Sequence, residues 1–189
     1  MAAHLPSCTV LRRRPSTETR LTPDPAPEFR LFLLRHARAA QAKPGLRDVD
    51  RTLDPVGEGD ATHLALRLSG LGLIPEMVLC SPARRCRQTV MALQGVAGDT
   101  MPVQVVDALY SGGAEVYLHA ALAQNCGSVL ICGHNPVIDE LLRALVGEDL
   151  PAGLYDQGYP PAGLAVIDFD RPPGAGVTGR LAHWIDPHQ

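Results

Sequence analysis

Two arginines and two histidines are the side chains of this 189-residue chain best suited to chemistry. Arg35 and His36 are adjacent, Arg85 lies in an arginine-rich segment, and His134 lies in a Gly-His-Asn-Pro run. Arginine's planar fork binds phosphate oxygens bidentately and stays charged at every relevant pH. Histidine, with an ordinary pKa of about 6.5, is a competent neutral nucleophile near pH 7. If the fold brings them together, these residue types predict a phosphate pocket suited to phosphoryl transfer.

The elements that would position them alternate between strands and helices. Short apolar runs predict buried strands, and helical spacing of apolar residues falls between them. The predicted strands are Phe29 to Leu34, Met77 to Cys80, Val103 to Val106, Ser128 to Cys132 and Leu164 to Phe169. The helical patterns are Ala61, Leu64, Ala65 and Leu68; Val116, Ala120 and Ala123; and Val137, Leu141 and Leu145. This alternation predicts an α/β fold, a three-layer αβα sandwich with a mainly parallel sheet.

A segment from Arg180 to Trp184 follows the last of these runs across a Pro/Gly-rich link and predicts an edge hairpin, hence an antiparallel edge strand. Three helices are expected to begin at a capping side chain followed by proline, at Asp54, Ser81 and Asn135. Ser81 and His134 directly follow predicted strands, so both are expected at the carboxyl ends of the sheet, where open α/β sheets bind ligands. Helix N-termini at this edge also favour an anion.

Composition excludes several classes of protein. A net charge of −3 gives no sign of a nucleic-acid binder. No apolar stretch approaches the roughly 18 residues that span a bilayer, so we expect no membrane contact. Five irregularly spaced cysteines do not resemble a disulfide framework or a zinc site, which favours free thiols in a reducing, cytoplasmic location. No cluster of Asp and His suggests a metal, and no cofactor is expected.

Residues 1–27 differ from the rest, with four arginines, five prolines and no apolar signal region. We expect a disordered N-terminal tail over 1–27 and one catalytic domain over 28–189.

Several motifs resemble those of the histidine phosphatase superfamily, which has a phosphoglycerate mutase-like fold. Residues 34–37 read Leu-Arg-His-Ala, similar to its R-H-G/A signature, and residues 81–89 read Ser-Pro-Ala-Arg-Arg-Cys-Arg-Gln-Thr, similar to its S-P-x-x-R-x-x-Q-T segment. Residues 133–136 match its G-H-N-P motif. Residues 48–57 and 161–166 resemble its SixA-like phosphohistidine phosphatase branch.

The resemblance implies roles for these residues. His36 would attack phosphorus and become phosphohistidine, and Arg35, Arg85 and His134 would hold the phosphoryl oxygens, with Ser81 as a further phosphate-binding residue. It also implies that His36 gives its Nδ1 proton to a backbone carbonyl, which leaves Nε2 for attack.

The chain departs from the family where many members carry a glutamate general acid in an L-x-E context. Here residues 109–111 read Leu-Tyr-Ser, and Asp107 and Glu115 are the nearby substitutes. Breaking a P–N bond to imidazole needs protonation by a general acid less than breaking a P–O bond to a sugar alkoxide does. The departure and the short connections, which leave no room for a cap subdomain, favour hydrolysis of phosphohistidine on a protein. A small-molecule phosphomonoesterase acting on a phosphorylated metabolite, and a non-catalytic phospho-ligand-binding member, are the alternatives.

Charged residues flank these motifs. Asp48, Asp50 and Arg51 are expected either to pin a loop by ion pairing or to shape the pocket rim. Arg84 and Arg87 are expected to face solvent, with Arg84 alternatively lining the entrance.

Overall fold

A computed structural model describes residues 26–98, 101–147, 150, 154, 158–174 and 177–188. The strands are β1 (Phe29–Arg35), β2 (Met77–Cys80), β3 (Val103–Val105), β4 (Ser128–Gly133), β5 (Leu164–Phe169) and β6 (Arg180–Ile185). The helices are α1 (Pro55–Gly70), α2 (Arg84–Ala97), α3 (Ala114–Leu122) and α4 (Val137–Val146), with 3-10 turns at Asp48–Asp50 and Asp107–Leu109. Each predicted strand and helix is present to within a few residues of its expected bounds.

The strands form one six-stranded sheet in the order β3-β2-β4-β1-β5-β6. Neighbouring strands from β3 to β1 are parallel, whereas β5 runs antiparallel to both β1 and β6. The predicted fold class and the edge hairpin are therefore confirmed, with β5 as the antiparallel strand and β6 at the edge. Arg35 pairs with Gly133, and Cys80 pairs with Cys132, so β1, β2 and β4 end at the same edge of the sheet.

Strand side chains alternate between two cores, one on each face of the sheet. On β1, Leu31 and Leu33 join a core with α3 and α4, whereas Phe32 and Leu34 join a core with α1 and α2. The period of two in a strand produces this division, because neighbouring residues point to opposite faces. The helices that cover both faces make the expected three layers.

One of the three predicted helix caps is confirmed and two are wrong. Asp54 caps α1, since its Oδ1 accepts from the backbone N–H of Gly57 at 2.8 Å. By contrast, α2 begins at Arg84 without a side-chain cap. The Ser81 hydroxyl is bonded to a histidine and accepts from the Ala83 N–H, just before the helix, at 3.4 Å. Helix α4 begins after the cis Asn135–Pro136 peptide. The side chains that sequence assigned to capping are used elsewhere at this edge.

The cysteines of the described residues are free thiols, with Cys80, Cys86 and Cys132 buried and Cys126 partly buried. No helix in the described part of the chain is long and apolar enough to cross a bilayer. The tail expected over residues 1–27 lies outside the described residues, apart from its last two positions.

Candidate active site

The backbone around His36 is held by the three strand ends that surround it. The His36 N–H donates to the Gly133 carbonyl at 3.1 Å, and the Ala162 N–H donates to the carbonyls of Arg35 and His36 at 3.1 and 3.3 Å. Ala162 has a φ of 57°, a left-handed conformation that non-glycine residues rarely adopt. The chain thus accepts local strain where it fixes the peptide planes of His36, which is typical of functional sites.

The imidazole of His36 is oriented by its own neighbour. Its Nδ1 lies 2.8 Å from the Ala37 carbonyl oxygen, which can only accept, so Nδ1 carries the proton. The lone pair of Nε2 then faces the Nε–H of Arg85 at 3.1 Å. Burial lowers the pKa of His36 to about 3, and the charges of Arg85, His134 and Arg35 act in the same direction. His36 is therefore neutral near pH 7 with a free Nε2, as the motif implied.

Arg85 lies at the centre of the site. Besides His36, its guanidinium donates from Nη1 to the Asp48 carbonyl at 2.8 Å and from Nη2 to Asp48 Oδ2 at 3.0 Å. Its Nη2 also lies 3.3 Å from His134 Nδ1, which must accept because a guanidinium has no lone pair to offer. The residue is only 7% exposed. One buried cation thus contacts both imidazoles.

His134 faces His36 across the pocket. The two ring centroids are 5.2 Å apart, with the rings inclined at 64°. His134 Nε2 lies 2.8 Å from the Ser81 hydroxyl, and since Nδ1 accepts from Arg85, Nε2 is the protonated nitrogen and donates to Ser81. Both imidazoles are therefore on one face and close enough to contact a single phosphoryl group.

Arg35 contributes a second guanidinium to the same pocket. Its Nη1 donates to the Tyr159 carbonyl. Its Nε is buried and, among the described residues, has no hydrogen-bond partner. Burial also lowers the pKa of Arg35 from its ordinary value. A buried donor without an acceptor is costly, and a bound phosphate oxygen would satisfy it.

Asp48 brings a carboxylate to the rim of the pocket. Its Oδ1 accepts from Arg51 at 2.9 Å, and its Oδ2 accepts from Arg85 and from the Tyr110 hydroxyl, each at 3.0 Å. The hydrogen bond from Arg51 is the largest of the contacts that lower the pKa of Asp48 to about 2. Asp48 is therefore ion-paired and also lies at the rim of the pocket, the two positions that the sequence left as alternatives.

The two substitutes for the general acid make no hydrogen bond to this group among the described residues. Asp107 and Glu115 are exposed, and within the described chain neither hydrogen-bonds to His36, Arg85 or His134. The residue that reaches the pocket from this segment is Tyr110, whose ring centroid lies 5.8 Å from that of His134.

The remaining motif residues connect the elements that carry the site. The Thr89 hydroxyl accepts from the Ala37 N–H at 3.0 Å and donates to the Arg85 carbonyl at 2.8 Å. Gln88 accepts from the Leu53 N–H at 2.9 Å. The motif spacing within residues 81–89 therefore reflects hydrogen bonds between α2 and the loop that follows β1.

Sequence reasoning missed three tyrosines that support the site. The Tyr117 hydroxyl accepts from the His134 N–H at 3.4 Å, and its ring fills the space beside Gly133. Tyr159 holds Arg35 through its carbonyl and bonds the Leu33 carbonyl through its hydroxyl. Tyr110 binds Asp48. Aromatic residues make up only 4% of the chain, which was the one sequence signal that pointed to these tyrosines. This signal did not identify a hydrogen-bond partner for any of them.

Within the described residues, no group of three or more His, Cys, Asp or Glu side chains could hold a metal ion. The side chains that converge on the pocket are cations and imidazoles, a set suited to a tetrahedral oxyanion.

Comparison with known proteins agrees with this geometry. Residues 31–111 match the family model of the histidine phosphatase superfamily (branch 1). An uncharacterized chloroplastic protein of Arabidopsis thaliana is 31% identical over 155 residues, which cover 76% of this chain and 71% of that protein.

Solved structures agree as well. The proposed phosphohistidine phosphatase SixA of Agrobacterium tumefaciens is 37% identical with a TM-score of 0.76, and the match covers 84% of this chain and 98% of that one. Its counterpart from Nakamurella multipartita is 30% identical with a TM-score of 0.71, covering 87% and 99%. The chain belongs to the histidine phosphatase superfamily, is SixA-like within it, and is accordingly a phosphatase.

Proposed function

We propose that the protein hydrolyses phosphohistidine on another protein, through a phosphorylated intermediate on His36. The observation that carries this proposal is the oriented His36 ring, whose unprotonated Nε2 faces Arg85 and lies across the pocket from His134. Relatives designated as SixA phosphohistidine phosphatases support the choice of substrate.

In the first step, the lone pair of His36 Nε2 attacks phosphorus in line with the bond that breaks. Arg85 withdraws its Nε–H from His36 Nε2, which frees the attacking lone pair, and turns its nitrogens from Asp48 and His134 to the phosphoryl oxygens. Arg35 donates its unpaired Nε. These donors stabilise the charge on the equatorial oxygens. The Ala37 carbonyl stabilises the positive charge that develops on the attacking ring through the Nδ1–H bond.

His134 assists by donating to a phosphoryl oxygen only if one of its ring protons faces the pocket. Ser81 is fully buried and bonded to the far nitrogen of this ring. The ring proton of His134 is on Nε2 and is donated to Ser81, so we assign Ser81 to holding His134 in place with its Nδ1 facing the pocket.

The leaving group is the imidazole of the substrate, which keeps the electron pair of the broken P–N bond and takes a proton from water in the open pocket. Asp107 and Glu115, the carboxylates that could supply it, form no hydrogen bond with His36, Arg85 or His134 among the described residues. An aliphatic alkoxide would need such an acid far more, so the arrangement favours phosphohistidine over sugar esters.

In the second step, water attacks the phosphorus of phospho-His36. The electron pair of the P–N bond returns to Nε2, and neutral His36 is restored. One proton of the water stays on the released phosphate, and the other neutralises the hydroxide left when the substrate imidazole took its proton from water. Because the described residues form no subdomain over the pocket, water reaches this intermediate directly.

The test is a substrate panel. The proposal predicts a higher kcat/KM on a protein phosphorylated on histidine than on sugar phosphates or nucleoside monophosphates. A preference for the esters would instead make the protein a small-molecule phosphomonoesterase. Phosphate binding without turnover of any substrate would show that the site binds phospho-ligands without catalysis.

A further inference from the structure

The exposed face of α2 carries a cationic and apolar stripe that the catalytic site does not use. Arg84, Arg87 and Met91 are exposed and are spaced three and four residues apart, so they lie along one side of the helix. Met91 is 65% exposed, the largest exposed fraction among the described large apolar side chains. With a rise of about 1.5 Å per residue, the stripe is about 10 Å long.

This stripe lines a cavity beside α2. The cavity has a volume of about 430 Å³ and is lined by α2 together with Val49, Asp50 and Pro82. Val49 and Asp50 follow Asp48, and Pro82 follows Ser81, so the cavity lies directly beside the catalytic pocket. A molecule that places a phosphoryl group on His36 would have its neighbouring atoms at this groove.

The positive charge of the groove is offset only in part by the protein itself. Neither Arg84 nor Arg87 forms a salt bridge with a described residue. Asp50 lines the groove and its charge interacts with that of Arg84, but its carboxylate is bonded to Arg47 at 2.6 Å. Glu58 lines an adjoining cavity that Met91 also lines. Two unpaired guanidinium groups beside an exposed methionine are complementary to an anionic surface that also carries an apolar side chain.

We propose that the α2 groove docks an acidic polypeptide segment next to the phosphorylated residue of the protein substrate, with carboxylates on Arg84 and Arg87 and an apolar side chain against Met91. The inference rests on the proposed function and deepens it. The length of the stripe suits several residues of a peptide, whereas a small metabolite held at His36 would not extend along it. Docking at this face would add affinity and specificity without touching the reacting atoms.

Two peptides phosphorylated on a single histidine test this inference. In one, the histidine is flanked by aspartates and a leucine, and in the other asparagines replace the aspartates. Phosphoimidazole, which has no flanking residues, serves as the small substrate. At about 0.01 M ionic strength, we expect kcat/KM to be about 5- to 20-fold higher for the acidic peptide, and at about 1 M salt we expect the difference to vanish.

The informative variant is the double charge reversal Arg84→Glu and Arg87→Glu. It should abolish the preference for the acidic peptide while phosphoimidazole turnover stays within about twofold. Arg143→Glu is the matched control, because Arg143 lies on α4, on the opposite face of the sheet, and has a side chain 53% exposed. This control should keep the full preference.

Equal kcat/KM for the two peptides in the unmodified protein would overturn the inference, as would a parallel loss of phosphoimidazole turnover in the double variant. Fluorescence anisotropy with labelled, unphosphorylated forms of the two peptides separates docking from chemistry. Tighter binding of the acidic peptide supports the groove, and equal binding refutes it. Tighter binding of the acidic peptide together with no hydrolysis of either phosphopeptide or of phosphoimidazole would refute the proposed function and leave the docking groove standing.

Discussion

Removing Arg85 should be the most damaging change that leaves the nucleophile in place. Its guanidinium is buried and contacts both imidazoles. Its two terminal nitrogens can turn from Asp48 and His134 to a phosphoryl group. A hydrogen bond to a charged group contributes about 1.5–3 kcal/mol. Loss of two such bonds in Arg85→Ala corresponds to about 3–6 kcal/mol, or a fall in kcat/KM of about 10²- to 10⁴-fold.

Arg85→Lys separates charge from geometry. Lysine keeps the positive charge but lacks the planar fork, so about half of the loss should remain, or about 10- to 100-fold. The assay is hydrolysis of phosphoimidazole and of p-nitrophenyl phosphate, with thermal unfolding to confirm that each variant is folded. The exposed neighbour supplies the control, since Arg84→Ala should leave both activities unchanged. A loss below tenfold in Arg85→Ala would refute the assignment of Arg85 to the transition state.

Four further outcomes follow from the same structure. Between about pH 3 and pH 6.5 an unfolded histidine binds a proton, whereas folded His36, whose pKa is about 3, does not. The free energy of unfolding should therefore decrease as the pH is lowered, by up to about 1 kcal/mol per pH unit from this group. His36→Asn should flatten that slope. Gly133→Ala would place a methyl group 2.4 Å from Tyr117 Cε1 and should cost about 1–3 kcal/mol in urea denaturation. Gly59→Ala, with nothing within 4 Å inside α1, should stabilise by about 0.5–1 kcal/mol. Activity should survive EDTA, and a loss restored by Mg²⁺ would contradict a site built from arginine and imidazole.

Much of the fold could be read from the sequence because it depends on patterns within short segments. The apolar runs of β1 and β4 and the helical spacing on α1 and α4 identify elements that are buried on defined faces. Alternation of strands and helices then fixes a parallel sheet, and a parallel sheet brings His36 and His134 to one edge. The pairing of Arg35 with Gly133 makes this explicit.

The features that could not be predicted from the sequence are the hydrogen-bond partners of individual polar side chains. Ser81 and Asn135 have the residue type and the following proline of a helix cap, yet Ser81 bonds His134 and the Asn135 amide donates to the Tyr159 carbonyl. The contact between Asp48 and Arg85 joins residues far apart in sequence through a loop with no periodic pattern. Tertiary geometry determines these hydrogen-bond partners, and local sequence propensity does not encode that geometry.

The most direct test of the account is to trap the phosphorylated protein. Phosphohistidine substrate labelled with ³²P would be mixed with the protein, quenched in alkali during turnover and digested for peptide mapping. The account predicts label on the peptide that contains His36, and none in His36→Ala. Turnover at full rate with the label absent from His36, or carried by another residue, would contradict it.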